Sequence, residues 1–174
     1  VYKNVTLQGV QDTYYLNKAD ASAYFEDCTI SGEVDFIYGD GTMFFKNCTL
    51  TPLSSAAYIT ASNAQPGYKG IVFTDCTITG EASAAGYHLG RPWGDSPAVT
   101  YIGTRMDILP ADKGWGSMTS GLVCRFHEYG STDVSGNALD LSARSLAGCS
   151  AAAGSDSPVI SAEEAAQYSI DNVF

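Results

Sequence analysis

A short motif recurs along this chain and restricts its fold more than any other feature. "YFEDCTISG" begins at Tyr24, "FFKNCTLTP" at Phe44 and "VFTDCTITG" at Val72. Each copy reads aromatic, any residue, Asn or Asp, Cys, Thr, then Ile or Leu. The opening "VYKNVTLQG" is a fourth copy with Val5 in the cysteine slot, and "TYIGTRMDI" is a fainter fifth with Thr104 there. Aligned on that slot, the copies stand at 5, 28, 48, 76 and 104, so the steps are 23, 20, 28 and 28 residues. A constant short strand motif with loops of unequal length is the signature of a solenoid. Within each copy the residues are β-branched and aromatic and alternate with period two, as a strand requires.

Nothing between the copies carries the apolar period of an amphipathic helix, which disfavours an α/β repeat. Parallel strands stacked coil upon coil, about 4.8 Å apart, would set each Cys, Ile and Leu above its counterpart in a continuous interior column. The expected fold is therefore all-β, a right-handed parallel β-helix; a β-sandwich with coincidental repeats is the alternative. The coils run to about residue 130. From about Ser131 to Ser157 the sequence turns rich in Gly, Ser, Ala and Asp and loses the repeat. "SAEEAAQY" then supplies Ser161 and Glu164 as a capping box, predicting a short C-terminal helix over the end or flank of the solenoid.

The 174 residues form one domain's worth of chain, 45% of it apolar, enough to bury a core. A formal charge of −10 with only nine scattered basic residues argues against nucleic acid and anionic membrane surfaces as partners. No apolar run approaches the roughly 18 residues of a membrane span. A neutral or uncharged-polar substrate fits better. With no starting Met and no signal-peptide pattern, the opening reads as the interior of a longer precursor. The five cysteines form no CxxC pair, which disfavours a zinc ribbon or a redox motif. Some can pair as disulfides in a secreted protein, and Cys76 is the candidate for a small buried apolar residue.

"GEVDFIYGDG", from Gly32 to Gly41, places Asp35 inside what reads as a buried strand, between Val34 and Phe36. A carboxylate there costs several kcal/mol unless something pairs with it. Asp12, in "VQDTYYL", lies seven residues past Val5, and Asp35 lies seven past Cys28. The two aspartates therefore occupy equivalent positions on successive coils and should stack on one face. Stacked carboxylates also mark turns. In unlike surroundings, however, such a pair can divide into one acid and one base. Asp12 adjoins polar Gln11 and Thr13, whereas Asp35 is flanked by apolar residues. "YHLGRPWG", from Tyr87 to Gly94, offers Arg91 to orient a buried carboxylate through its fork and Trp93 to stack on a sugar ring. Its plainer reading is a surface turn with a salt bridge.

Taken in order, "GVQDTYY", "GEVDFIYG" and "YHLGRPWG" resemble three signature motifs of the pectin methylesterases (pectinesterases, carbohydrate esterase family 8). "YITAS" at Tyr58–Ser62 resembles the segment between the second and third motifs, and "GWGSM" at Gly114–Met118 sits where the family has a second cleft tryptophan. The resemblance spans essentially the whole chain. It implies a secreted, extracellular enzyme on a right-handed parallel β-helix that removes methyl groups from galacturonate esters of pectin, with no cofactor and no metal. By motif position, Asp35 would be the nucleophile that forms an acyl-enzyme, and Asp12 the acid and then the base. Gln11 would hold the oxyanion, an effect of about 2.7–4 kcal/mol per donor in comparable sites. Arg91 would keep Asp35 ionised and aimed, and Trp93 and Trp115 would line the cleft. Tyr14, Tyr15 and Tyr38 are further cleft aromatics or packing residues. Some members bridge the pair equivalent to Cys28 and Cys48; a pairing of Cys124 with Cys149 is a bare conjecture.

The family carries a further glutamine about one coil before "QDT", and this chain begins after that point. The expectation is an N-terminally truncated unit over residues 1–174, completed by a missing N-terminal segment or by another copy of the chain, and weakly active or inactive alone. His88 and His127 are titratable cleft groups or ordinary packing and surface residues, too far apart for a metal claim. No serine sits in a GxSxG elbow. Two alternatives stand beside the esterase: another pectin-active β-helix enzyme (a lyase or polygalacturonase), or a β-helix that binds pectin without turnover. The acidic balance favours methyl-esterified, uncharged stretches of homogalacturonan over the polyanionic product.

Overall fold

The computed structural model describes residues 1–118, 122–149 and 157–174. Residues 150–156 of the Gly/Ser/Ala-rich tail lie outside the described residues. Three parallel sheets form the faces of a right-handed solenoid of about five turns. The first sheet stacks Tyr2–Lys3, Ser22–Glu26, Thr42–Lys46, Ile71–Thr74, Ala98–Ile102 and Arg125–Tyr129 in that order. The second stacks Thr6–Gln8, Thr29–Gly32, Thr49–Pro52, Thr77–Ile78, Arg105–Met106 and Thr132–Asp133. The third has four strands, Tyr14–Leu16, Ile37–Gly39, Thr60–Ser62 and Arg91–Pro92.

The invariant Asn or Asp of the repeat makes the corner between the first two sheets. Asn4, Asp27, Asn47 and Asp75 all have left-handed backbone, with φ of 53°, 55°, 51° and 53°, and Gly103 and Gly130 take the slot in the last two coils at 61° and 68°. Asn and Asp enter this region more readily than other side chains because their short polar groups bond locally, and Gly enters it without a Cβ penalty. Asn47 Nδ2 donates to Asp27 Oδ1 at 2.5 Å, so neighbouring corners are also tied side chain to side chain.

Identical registers put like on like in the interior. Phe25, Phe45, Phe73 and Tyr101 are paired strand to strand, and their rings stack at 4.4, 4.8 and 4.5 Å between centroids. Tyr2 begins that column 4.6 Å from Phe25. Ile30, Leu50, Ile78 and Met106 form a second buried column. Cys28, Cys48 and Cys76 occupy the slot between them. Some members of the resembled family bridge the equivalent of Cys28 and Cys48, but here the two form no disulfide. The stacked thiols bond along their own coils instead: Cys28, Cys48 and Cys76 each donate to the carbonyl two residues earlier, at 3.3, 3.3 and 3.4 Å. Cys124 and Cys149 do meet, the Cys124 thiol donating to the Cys149 carbonyl at 2.7 Å, without a bridge.

The aromatic column ends on a charge. Glu128 pairs with Tyr101 and is fully buried, and Arg144 from the tail reaches it through Nε at 2.6 Å and Nη2 at 3.3 Å. Arg144 Nη1 also donates to the Asp112 carbonyl, so this ion pair fastens the tail to the last coils. The capping box forms as the sequence implied: Ser161 Oγ accepts from Glu164 N–H and the Glu164 carboxylate accepts from Ser161 N–H. The short helix Ala162–Ala165 and the turns after it lie on the flank, where Phe174 meets Phe44 and Lys69 lies over the Tyr168 ring. We expect Arg144→Met to leave an uncompensated buried carboxylate and to cost about 3–5 kcal/mol in urea unfolding, while the double change with Glu128→Gln costs distinctly less.

Candidate active site

Asp35 is not inside a strand. The second-sheet strand ends at Gly32 and the third-sheet strand begins at Ile37, and Asp35 makes the bend between them with φ of 50°. Asp12 makes the same bend one coil earlier, at φ of 55°. The Gln11–Val34 bridge and the pairing of Tyr14 with Ile37 bracket the two aspartates in register, as the spacing from Val5 and Cys28 required. A left-handed bend that Asp tolerates thus replaces the buried strand position that the apolar neighbours implied.

Arg91 comes from the fourth coil of the third sheet, in register with Ala61. Its Nε donates to Asp35 Oδ1 at 2.8 Å and its Nη2 to Oδ2 at 2.7 Å. The fork is planar and bidentate, and both side chains are largely withdrawn from water, 22% and 13% exposed. The hydrogen bond to Asp35, more than any other influence, holds Arg91 above its ordinary range. Asp12 and Gln11 remain exposed beside this pair.

Gln11, Asp12, Asp35, Tyr38, Ala61, Trp93 and Met118 surround one cleft of about 190 Å³. Tyr38 stacks on Tyr15 at 4.4 Å, and Trp93 leans against both rings at 5.6 and 6.2 Å. Desolvation first, and the charge of Asp12 second, push the Tyr38 hydroxyl above its usual range. The Arg125 guanidinium fixes the loop that carries Trp93: it donates to the carbonyl of Ser96 and, across the gap, to those of Gln65 and Tyr68.

Two expected cleft residues are elsewhere. Tyr14 alternates with Tyr15 along its strand and points inward, edge-on to Phe25 at 4.9 Å. Trp115 is 3% exposed and stacks on Phe126 at 4.7 Å in the core. It pairs with Gly90, two positions before Pro92, so the residue three places on, Met118, is the one that reaches the cleft. Of the histidines, His127 is buried with Nδ1 3.0 Å from the Tyr168 hydroxyl, under the C-terminal segment. His88 borders the site, stacked on Tyr58, which in turn lies under Arg91. Sequence reading quoted Tyr58 and Met118 only within "YITAS" and "GWGSM" and gave neither a role of its own. The slot spacing points seven residues past Cys48 to Ser55; only the register of Ile37 with Thr60 brings Tyr58 beside Asp35.

A parallel β-helix with a carboxylate pair one coil apart, an arginine fork and an aromatic cleft defines the class. The family model described as Pectinesterase matches residues 1–172, and the chain belongs to that family. Pectinesterase 31 of Arabidopsis thaliana is 35% identical over 133 residues, covering 74% of this chain and 41% of the relative. Pectinesterase A of Emericella nidulans is 30% identical over 150 residues, covering 82% of this chain and 44% of the relative. Among solved structures, a pectin methylesterase from Yersinia enterocolitica superposes with a TM-score of 0.73 at 27% identity, over 97% of this chain and 58% of that one. A pectin methylesterase crystallised with a hexasaccharide superposes at 0.71 with 26% identity, over 99% and 56%. The chain therefore spans about half the length of the relatives it matches.

The two tryptophans differ in exposure, 36% for Trp93 against 3% for Trp115. We expect acrylamide to quench two fluorescence components, and Trp93→Phe to remove the accessible one while leaving the folded far-UV spectrum unchanged. If Trp115 faced the cleft, an accessible component would survive that substitution.

Proposed function

We propose that this chain carries the reacting centre of a carboxylic ester hydrolase that removes methyl groups from methyl-esterified galacturonate in pectin. The observation that carries the reading is the two-point grip of Arg91 on Asp35 with Asp12 one coil away. A carboxylate so held has one fixed direction of approach, which suits it to attack an ester carbonyl.

In this mechanism an oxygen of Asp35 adds to the ester carbonyl, and the carbonyl electrons move to its oxygen. The Gln11 amide N–H receives that oxyanion. Collapse expels the methoxy group as Asp12 hands it a proton, giving methanol and an acyl-enzyme on Asp35. Asp12, now a carboxylate, takes a proton from water; the hydroxide displaces Asp35 and leaves the galacturonate acid. Trp93, Tyr38 and Met118 give the sugar an apolar wall, and among the described residues lining the cleft none is Lys or Arg, which suits an uncharged, esterified stretch of polymer. The reading places the protein outside the cell, where its polymer lies; recovery of its peptides from culture medium rather than from cells tests that clause.

A second reading, pectin binding without turnover, is favoured by one feature. Gln11 is the sole side-chain amide lining the cleft among the described residues. An oxyanion held by one such donor rather than two would react more slowly by roughly 10²–10³.

Methanol release from highly esterified pectin separates the readings. We expect Asp35→Asn to abolish release, Gln11→Ala to lower kcat by roughly 10²–10³, and Asp12→Asn to lower it strongly while substrate binding persists. Pectin retention without any methanol would favour the binding reading, and full activity in Asp35→Asn would remove the nucleophile assignment.

A further inference from the structure

The column that holds the two aspartates continues. One coil after the Asp35 bend stands Tyr58, whose N–H donates to the Glu33 carbonyl at 2.8 Å, and a further parallel bridge pairs Tyr58 with His88. Backbone bonds on both sides hold this bridge, His88 N–H to the Ala57 carbonyl at 2.8 Å and Ile59 N–H to the His88 carbonyl at 3.0 Å. The imidazole stacks on the Tyr58 ring with centroids 4.8 Å apart and planes 20° from parallel. Arg91 lies over the same ring, its guanidinium carbon 4.3 Å from the centroid. Gly116 closes the arrangement: a Cβ there would lie 2.3 Å from Tyr58 Cε1 and 3.3 Å from His88 Cδ2. Only a glycine lets the backbone lie against both rings.

We propose that His88 is a positioning residue of this site: stacked on Tyr58, it fixes the ring that carries Arg91, and so fixes the angle at which the Arg91 fork meets Asp35. The proposal rests on the reading of Asp35 as nucleophile for its effect on rate, but not for its effect on Arg91.

Three features of the geometry point this way. Arg91 donates in the plane of its fork to Asp35, so its flat face is free for an aromatic partner, and a cation over a π face is attracted to it. A bidentate grip tolerates little rotation, so whatever restrains the supporting ring restrains the fork. His88 Nδ1 is buried with no hydrogen-bond partner among the described residues, so the imidazole acts here through its face. Burial, and after it the charge of Arg91, holds His88 below the ordinary histidine range, which keeps a second cation away from the stack at neutral pH. A flat apolar ring of similar size should therefore replace it, and an apolar side chain without a π face should not.

The test uses the full chain with three variants, His88→Leu, His88→Phe and Asp35→Asn. The first readout is the Arg91 Nε–H resonance in a ¹⁵N spectrum, assigned by its loss in Arg91→Lys. We expect that signal to broaden or vanish in His88→Leu and to return in His88→Phe. The second readout is methanol release. In His88→Leu kcat should fall roughly ten- to a hundredfold with KM within about twofold, and His88→Phe should recover it. An unchanged Arg91 signal in His88→Leu overturns the proposal, as does a His88→Phe variant that folds with wild-type Tm yet behaves like the leucine variant. If Asp35→Asn keeps full activity, the nucleophile reading fails while the Arg91 signal still judges the stack. If the chain shows no turnover at all, that signal alone decides.

Discussion

Each coil of this protein is held by the backbone hydrogen bonds it makes to the coils on either side. The strands are two to five residues long, too short to persist alone. Register is therefore set by stacking like on like: aromatic on aromatic, aliphatic on aliphatic, and Asn or Asp on its counterpart at the corner. A slip of one residue would turn every interior side chain outward. The same constraint governs the site, because Asp12 and Asp35 stand one above the other only while their coils stay in step.

That dependence explains why charges stand where the columns end or bend. Glu128 occupies the place of the next aromatic in the interior column and is tolerated because Arg144 meets it with two donors. Asp35 stands at a bend and is met in the same manner by Arg91. The two pairs share a chemistry and differ in access. Arg144 and Glu128 are sealed, 6% and 0% exposed, whereas Asp35 opens onto a cleft with Asp12, Gln11 and Trp93 around it. A sealed pair locks the tail in place. A pair with one open side leaves its carboxylate within reach of a substrate.

The cleft itself is assembled from distant parts. Tyr15 and Tyr38 come from successive coils of the third sheet, Trp93 from the loop after its fourth strand, and Met118 from the segment beyond Trp115. Arg125, far along the first sheet, fastens the loops on which one wall depends by donating to three backbone carbonyls.

The sequence by itself determined the solenoid, the equivalence of Asp12 and Asp35, and the capping of the last helix. Each is a matter of spacing or of local bonding: a slot repeated at 5, 28, 48 and 76, two aspartates seven residues past such slots, and a serine three residues before a glutamate. Arg91 was tied to Asp35 by motif position in the family resemblance, since its fork suits a buried carboxylate. Tertiary structure alone decided which way individual side chains face. Tyr14 and Tyr15 are neighbours in the chain, yet one points into the core and the other into the cleft, because successive strand residues alternate. Trp115 went inward for the same reason and left Met118 at the cleft. Asp35 lies at a left-handed bend, and its apolar neighbours had the look of a strand because Phe36 and Ile37 are buried directly after the turn. Cys28 and Cys48 stack but do not bond, since each thiol is turned to a carbonyl of its own coil. The fold is written in periods that a sequence displays, whereas the facing of a side chain depends on where a strand starts, and that is fixed only when the coils stack.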